Sequence, residues 1–348
     1  MSYKLLTDAP LPEASGYTTT WQGWTSNETE VADDDLPYGA QARIVTLWIL
    51  FGVGSFGNSL VFIWLCLFRR RKSRLHKIVF GISIADMCVC IFNVLVSAIL
   101  ELQDDVWYAG NVLCKLVMFM QSVSLIASSN CVVLLAVDRH QAVRSPLKKG
   151  YSVRMGLTIA WSCALLFSIP QMFIWYQKDT RGFKTCTTFF PAPVLSWRVA
   201  YITYAAVVDF IVPFFVVLIA YIRITQKIWI RASAGSSFSN SIKTTAVYSN
   251  GDRLNMRVTA SPLMNKARNK TLTMSTVIII VFMTCMSPYF IVEIIRSYSQ
   301  GFKINQNVYA VLGTFAVSNS AVNPYIFLVF NLGSHAKTRR DRTCTSTT

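Results

Sequence analysis

Seven stretches of the chain are apolar almost without interruption, near residues 42–68, 76–100, 113–137, 155–176, 199–222, 272–295 and 306–330. Each runs for about 20 residues or more, enough for a helix to cross a hydrocarbon layer of roughly 30 Å. The pattern predicts an all-α membrane protein, a seven-transmembrane helix bundle. Polar stretches divide it into an N-terminal tail (1–41), the bundle (42–331) and a C-terminal tail (332–348). The long polar interval at 223–271 is an inner loop whose residues 232–265, rich in Ser, Thr and Asn, read as flexible. A composition of 53% hydrophobic and 14% charged residues excludes an ordinary soluble domain.

Charge orients the bundle. Arg69, Arg70, Arg71, Lys72, Arg74 and Lys77 follow span one, and Arg144, Lys148, Lys149 and Arg154 follow span three. The interval after span five holds Arg223, Lys227, Arg231, Lys243, Arg253, Arg257, Lys266, Arg268 and Lys270 against one acid, Asp252. Positive loops stay in the cytoplasm, so the N-terminus is expected outside and the tail of Lys337, Arg339, Arg340 and Arg342 inside. Asp8, Glu13, Glu28, Glu30 and Asp33 to Asp35 make the first residues too acidic for a signal peptide, and span one is expected to act as its own insertion signal. The formal net charge of +16 is then a matter of topology and contact with the lipid bilayer rather than of nucleic-acid binding.

Cys66, Cys88, Cys90, Cys131, Cys163 and Cys285 lie within spans, where a thiol is a small apolar group. Cys114, at the outer start of span three, and Cys186, in the second outer loop, are the two placed in an oxidising compartment and are expected to pair. Cys344, in the basic tail, is either a palmitoylated or an unmodified thiol. Asn27-Glu28-Thr29 is an outer glycosylation sequon, whereas Asn269-Lys270-Thr271 faces inward and is rejected. The terminal Thr-Ser-Thr-Thr offers kinase sites.

Polar groups inside spans are costly and mark function. Asp86 lies mid-span with no basic neighbour in its own helix, and by counting it shares its depth with Ser128, Asn319, Ser320 and Asn323. Two readings fit: oxygen ligands for a sodium ion, or a hydrogen-bonded cluster around a protonated Asp86. Pro170, Pro213, Pro288 and Pro324 loosen spans four to seven. Asp138-Arg139-His140 at the inner end of span three sets an arginine beside an acid at the membrane boundary, where the pair can close in one state and open in another.

These residues resemble the rhodopsin-like family of G-protein-coupled receptors. The likeness is carried by Gly57-Asn58, Ser83-Ile84-Ala85-Asp86, Trp107 with Gly110 and Cys114, Asp138-Arg139-His140, Trp161, Pro213 with Tyr221, Phe282 with Cys285 and Pro288, and Asn323-Pro324. Asp138-Arg139-His140-Gln141-Ala142-Val143, Ser168-Ile169-Pro170-Gln171-Met172-Phe173-Ile174 and Cys285-Met286-Ser287-Pro288-Tyr289-Phe290-Ile291-Val292 are similar to the vasopressin, oxytocin and gonadotropin-releasing-hormone receptor group. Gln121 stands where amine receptors have Asp, and span seven has no Lys for a retinal Schiff base. The resemblance implies a multi-pass plasma-membrane receptor for a neuropeptide, coupled to a heterotrimeric G protein and arrestin, with phospholipase C and calcium downstream. It also implies an allosteric sodium site at Asp86, Ser128, Asn319, Ser320 and Asn323. The activation and coupling residues would be Asp138, Arg139, Tyr221, Phe282, Pro288, Asn323 and Pro324.

The chain departs from the family at Met286 for Trp, Phe327 for Tyr, His140 for the commoner Tyr, and Glu293 and Asn93 for Gln. Outward-half positions propose a ligand pocket of Asn93, Glu101, Gln121, Asp209, Tyr289, Phe290 and Glu293. Three acids there suit a peptide with a basic residue. Glu101 also reads as a solvated helix end, and Asp209 as a structural hydrogen bond to a neighbouring helix. The start of span six, Lys266-Ala267-Arg268-Asn269-Lys270, offers no acid, so Asp138 is the expected resting partner of Arg139. A transporter would show more intramembrane charge and internal repeats; a non-peptide ligand such as a lipid, or a non-signalling heptahelical scaffold, is the alternative. An enzyme is disfavoured, since His76, His140 and His335 are the only histidines and none clusters with cysteines or acids outside the membrane.

Overall fold

The computed structural model describes residues 38–67, 73–145, 151–180, 182–190, 194–242, 262–299 and 304–345. Asn27 lies outside them, and the side chain of Cys344 is likewise not described. The architecture is a bundle of seven helices in chain order. Helix α1 spans Tyr38–Leu67, α2 Arg74–Leu102, α3 Gly110–Arg144 and α4 Val153–Ile174. Helix α5 is built of Val194–Ala206, Val207–Ile211 and Val212–Ile242, α6 spans Pro262–Tyr298 and α7 Gln306–Thr345. The first six each contain a run long and apolar enough to cross a membrane. The seventh carries Asn319, Ser320 and Asn323, which lower its hydropathy but are buried within the bundle.

Two helices are interrupted by a wide turn that inserts a residue and re-aims the side chains beside it. One covers Cys90–Leu95 in α2 and carries Asn93; the other covers Val207–Ile211 in α5 and carries Asp209. Both candidate pocket residues thus sit where the backbone departs from α-helical spacing.

The flexible reading of 232–265 is corrected at both ends. Helix α5 continues to Ile242 and α6 begins at Pro262, because no proline falls between Pro213 and Pro262 to stop the first, and Pro262 suits the first turn of the second. Helix α7 likewise runs past Gly333 to Thr345, through residues read as a tail.

At the outer end, strands β1 (Trp175–Thr180) and β2 (Phe183–Thr188) form an antiparallel hairpin, with Gly182 at φ +90° between them. Cys186 of β2 is bonded to Cys114 of α3, and the Gln177 amide donates to Asn111 Oδ1 at 2.9 Å. The hairpin therefore lies strapped to the outer start of α3, over a cluster of Trp107, Met118 and Trp175.

Apolar surface faces outward, as lipid requires: Ile49, Phe56 and Ile63 on α1 and Ile219 and Ile222 on α5 are exposed, while Asn58, Asp86, Asn319 and Asn323 are buried. Close helix approach depends on a small residue at Gly57, where a Cβ would lie 2.8 Å from Pro324 Cγ and from the Tyr325 ring. The neighbouring Asn58 amide donates to Gly54 O and Ser320 O, each at 3.0 Å, and ties α1 to α7.

Candidate functional site

Three polar layers are stacked along the bundle axis. The outermost surrounds a cavity of about 50 Å³ lined by Asn93, Ser97, Asp209, Met286, Tyr289 and Phe290 among others. Asn93 is engaged, donating to Ser124 Oγ at 2.8 Å while its carbonyl accepts from Ser97 Oγ at 2.6 Å. Phe290 stacks on Phe210 at 5.1 Å, which joins α6 to α5. Asp209 is 4% exposed, and its Oδ1 has no hydrogen-bond partner among the described residues. Gln121 is fully buried next to Asn93, whose amide reaches the Gln121 carbonyl at 3.4 Å, and neither polar atom of the Gln121 side chain is partnered among the described residues.

The other two acids of the expected pocket are committed to neighbours. Glu293 accepts from the Tyr309 hydroxyl, which lies 3.3 Å from that of Tyr289, and the Arg296 guanidinium sits 4.8 Å over the Tyr309 ring. Glu101 is neither a solvated helix end nor part of the cavity lining. Arg43 of α1 binds it through Nε at 3.0 Å and Nη2 at 2.7 Å, and the same guanidinium donates to Asn307 Oδ1 of α7 at 2.6 Å. This triangle braces α1, α2 and α7 at the outer mouth. The cavity therefore gathers Asn93, Asp209, Tyr289 and Phe290, with Gln121 and Glu293 beside it and Glu101 apart.

The middle layer centres on Asp86, which is inaccessible to solvent. Ser128 Oγ donates to Oδ1 at 2.6 Å and Asn323 Nδ2 to Oδ2 at 2.9 Å. Ser320 and Asn319 are buried on the same helix as Asn323, and the Oδ1 atoms of both asparagines lack hydrogen-bond partners among the described residues. Spacing along α2, α3 and α7 has thus brought the Asp86 carboxylate together with a hydroxyl of α3 and an amide nitrogen of α7.

The inner layer holds the switch residues. Arg139 is paired with Asp138 Oδ2. The other carboxylate oxygen is held by Arg74, at the start of α2, through Nε at 3.0 Å and Nη2 at 2.7 Å. Arg74 is fixed in turn by Tyr151: its Nη1 donates to the Tyr151 carbonyl at 2.8 Å, and its guanidinium lies 5.1 Å over the ring. Burial and then the Asp138 charge push the Tyr151 phenol up to about 12, against the lowering pull of Arg74 and Arg139. Tyr221 and Phe282 belong to the apolar cluster that also contains Met286. Phe327 is buried in a separate inner cluster with Leu135 and Ile278, edge-on to Trp64 at 5.6 Å and to His76 at 6.2 Å. Its ring fills apolar space.

Sequence reasoning missed Arg74, Tyr151, Arg43 and Tyr309. In the sequence Arg74 reads only as topological charge, although its position at the inner start of span two is level with the inner end of span three. Arg43 stands alone near the outer end of span one, where a basic residue runs against the charge rule, and that was the available signal.

The chain matches the family described as 7 transmembrane receptor (rhodopsin family) over residues 57–327. It is similar to the neuropeptide S receptor of Mus musculus, 30% identical over 300 residues that cover 83% of this chain and 76% of that protein. It is also similar to cephalotocin receptor 1 of Octopus vulgaris, 28% identical over 323 residues covering 86% and 80%. The isotocin receptor of Catostomus commersonii is 28% identical over 295 residues, covering 84% and 74%.

Proposed function

Because the chain belongs to the rhodopsin family of 7-transmembrane receptors, and so is a multi-pass plasma-membrane receptor and not an enzyme, we propose that it binds an extracellular neuropeptide of the vasopressin/oxytocin-like or gonadotropin-releasing-hormone-like class. It passes the signal through a heterotrimeric G protein to phospholipase C and calcium, with arrestin as a second inner partner. Neuropeptide S, cephalotocin and isotocin receptors among the relatives support a peptide ligand. The observation that carries the reading furthest is Asp209, whose buried Oδ1 has no partner among the described residues in a cavity otherwise walled by apolar and satisfied polar groups. A buried carboxylate in that condition is costly, and a cationic group on the ligand would relieve it by a charge-assisted hydrogen bond. The cavity, at about 50 Å³, admits only the tip of a side chain, so the peptide must spread the outer helices to enter.

Opening the outer end favours the bundle in which the inner end of α6 swings out around Pro288. Arg139 then leaves Asp138 and becomes available to the G protein. Arg74 stays on the carboxylate, so the release does not strand a buried charge. Asp86, Ser128, Asn319, Ser320 and Asn323 suit a sodium ion by their chemistry: a carboxylate, hydroxyls, and buried amide oxygens on Asn319 and Asn323 that lack partners among the described residues are all hard oxygen donors. When bound, the ion would supply the positive charge that offsets Asp86 in the resting bundle.

The test is calcium release in cells expressing this chain and challenged with a library of amidated neuropeptides, with Arg139→Ala and Asp209→Asn alongside. A peptide response abolished by the first change and shifted to higher concentration by the second is expected. Responses confined to lipids, or an Asp209→Asn receptor with unaltered potency for every active peptide, would overturn the reading.

A further inference from the structure

On the inner flank between α3 and α5 lies a second cavity, of about 420 Å³, lined by His140, Arg144, Arg223, Gln226, Lys227 and Ile230. Three permanent cations and an imidazole share it, and no acid is among its lining residues. Among the described residues, Arg144, Arg223 and Lys227 take part in no ion pair, and the inner acid Asp138 is already taken by Arg74 and Arg139. Like charges gathered at one spot repel, and an anion seated among them turns that repulsion into attraction. Arg139 does not line this cavity, which is therefore separate from the switch.

Helical spacing says what kind of anion fits. Arg223, Lys227 and Ile230 fall at i, i+4 and i+7 and share one stripe of α5. Ile222 and Trp229, seven residues apart, form the adjoining stripe, and both are exposed, Trp229 by 73%. A basic stripe beside an apolar one, with a tryptophan at the boundary, is the surface that meets lipid headgroup and acyl chain together. Two guanidiniums and an ammonium exceed what one phosphodiester can neutralise, and guanidinium forks match phosphate oxygens in pairs.

We propose that this cavity binds the headgroup of an inner-leaflet inositol phospholipid carrying more than one phosphate. Arg144, Arg223 and Lys227 take the phosphates, Gln226 gives a neutral hydrogen bond, and an acyl chain runs along Ile222 and Trp229. The assignment stands apart from the identity of the peptide.

The full chain, purified and examined by native mass spectrometry, is titrated with a phosphatidylinositol bisphosphate, with phosphatidylserine and with soluble inositol trisphosphate. One bisphosphate lipid is expected to be retained per chain, well ahead of the other two. Arg144→Gln/Arg223→Gln/Lys227→Gln should weaken retention about a hundredfold, as three neutralised surface charges imply. A charge-matched control at the inner ends of α2, α4 and α6, Lys77→Gln/Arg154→Gln/Lys270→Gln, should hold the lipid nearly as well as the parent. If the triple variant does not reach the membrane, Lys227→Gln alone should lose about fivefold. Equal losses in both triples would reduce the site to general surface charge and overturn the proposal. Phosphatidylserine bound as tightly would remove the need for several phosphates. Inositol trisphosphate bound as tightly would make the ligand a free polyphosphate and not a lipid.

Discussion

The bundle carries an arginine–carboxylate contact near each membrane face, and the two are built differently. At the outer face, Glu101 has one cationic partner among the described residues, Arg43, which also donates to Asn307. At the inner face, Asp138 has two, Arg74 on one oxygen and Arg139 on the other. Breaking the outer pair leaves a carboxylate at 8% side-chain exposure unpaired, so it opens only when α1, α2 and α7 come apart. Breaking the Arg139 contact leaves Asp138 still paired. What separates a brace from a switch here is the number of cations on the carboxylate, not the chemistry of the pair.

The sharpest way to break this distinction is to remove the shared carboxylate. Asp138→Asn should raise ligand-free nucleotide exchange on the G protein by about tenfold, equivalent to roughly 1.4 kcal/mol of lost resting bias. Removing the second cation should act in the opposite sense. With Arg74→Gln, release of Arg139 would strand Asp138, so the agonist response should fall by about fivefold, the worth of roughly 1 kcal/mol for a half-exposed partner. The loss should vanish when Asp138→Asn is already present, because the two changes act on one contact.

At the other face, Glu101→Gln should lower the thermal midpoint by about 2 °C and leave ligand-free exchange unchanged, as a brace of about 1 kcal/mol would. The smallest effect concerns Asp105, beside that brace at φ +60°. Burial first and then the Glu101 charge push its carboxyl up to about 7, with Arg43 opposing and Asp104 adding. A carboxyl raised in the folded state favours folding while protonated. That contribution is complete below the ordinary carboxylate range and is lost as pH rises through about 7. Thermal midpoints should therefore fall between pH 6 and pH 8 in the parent more than in Asp105→Asn.

The same contrast governs how much was legible in the sequence. The spans were legible because a helix in lipid must satisfy its backbone internally and show apolar side chains outward, which leaves long unbroken runs. Asp86, Ser128 and Asn323 were legible because depth along straight helices follows from counting. Arg74 and Arg43 were not, since a basic residue near a span end looks the same whether it meets water, lipid or a carboxylate from another helix. The hairpin from Trp175 to Thr188 was hidden in a polar loop, where the disulfide predicted attachment but not strand pairing. Asn93 and Asp209 were picked out by type, yet the wide turns that aim them leave no trace in the hydropathy pattern. Phe327 read as a lost hydroxyl, and only its packing against Trp64 and His76 shows the aromatic cluster it completes.

The most direct measurement of the switch is nucleotide exchange on purified G protein by the parent, Asp138→Asn and Arg74→Gln receptors without ligand. Exchange should rise above the parent in Asp138→Asn and stay at or below it in Arg74→Gln. A rise of similar size in both would mean that Arg74 merely braces the resting bundle, and would contradict a carboxylate shared so that Arg139 can leave.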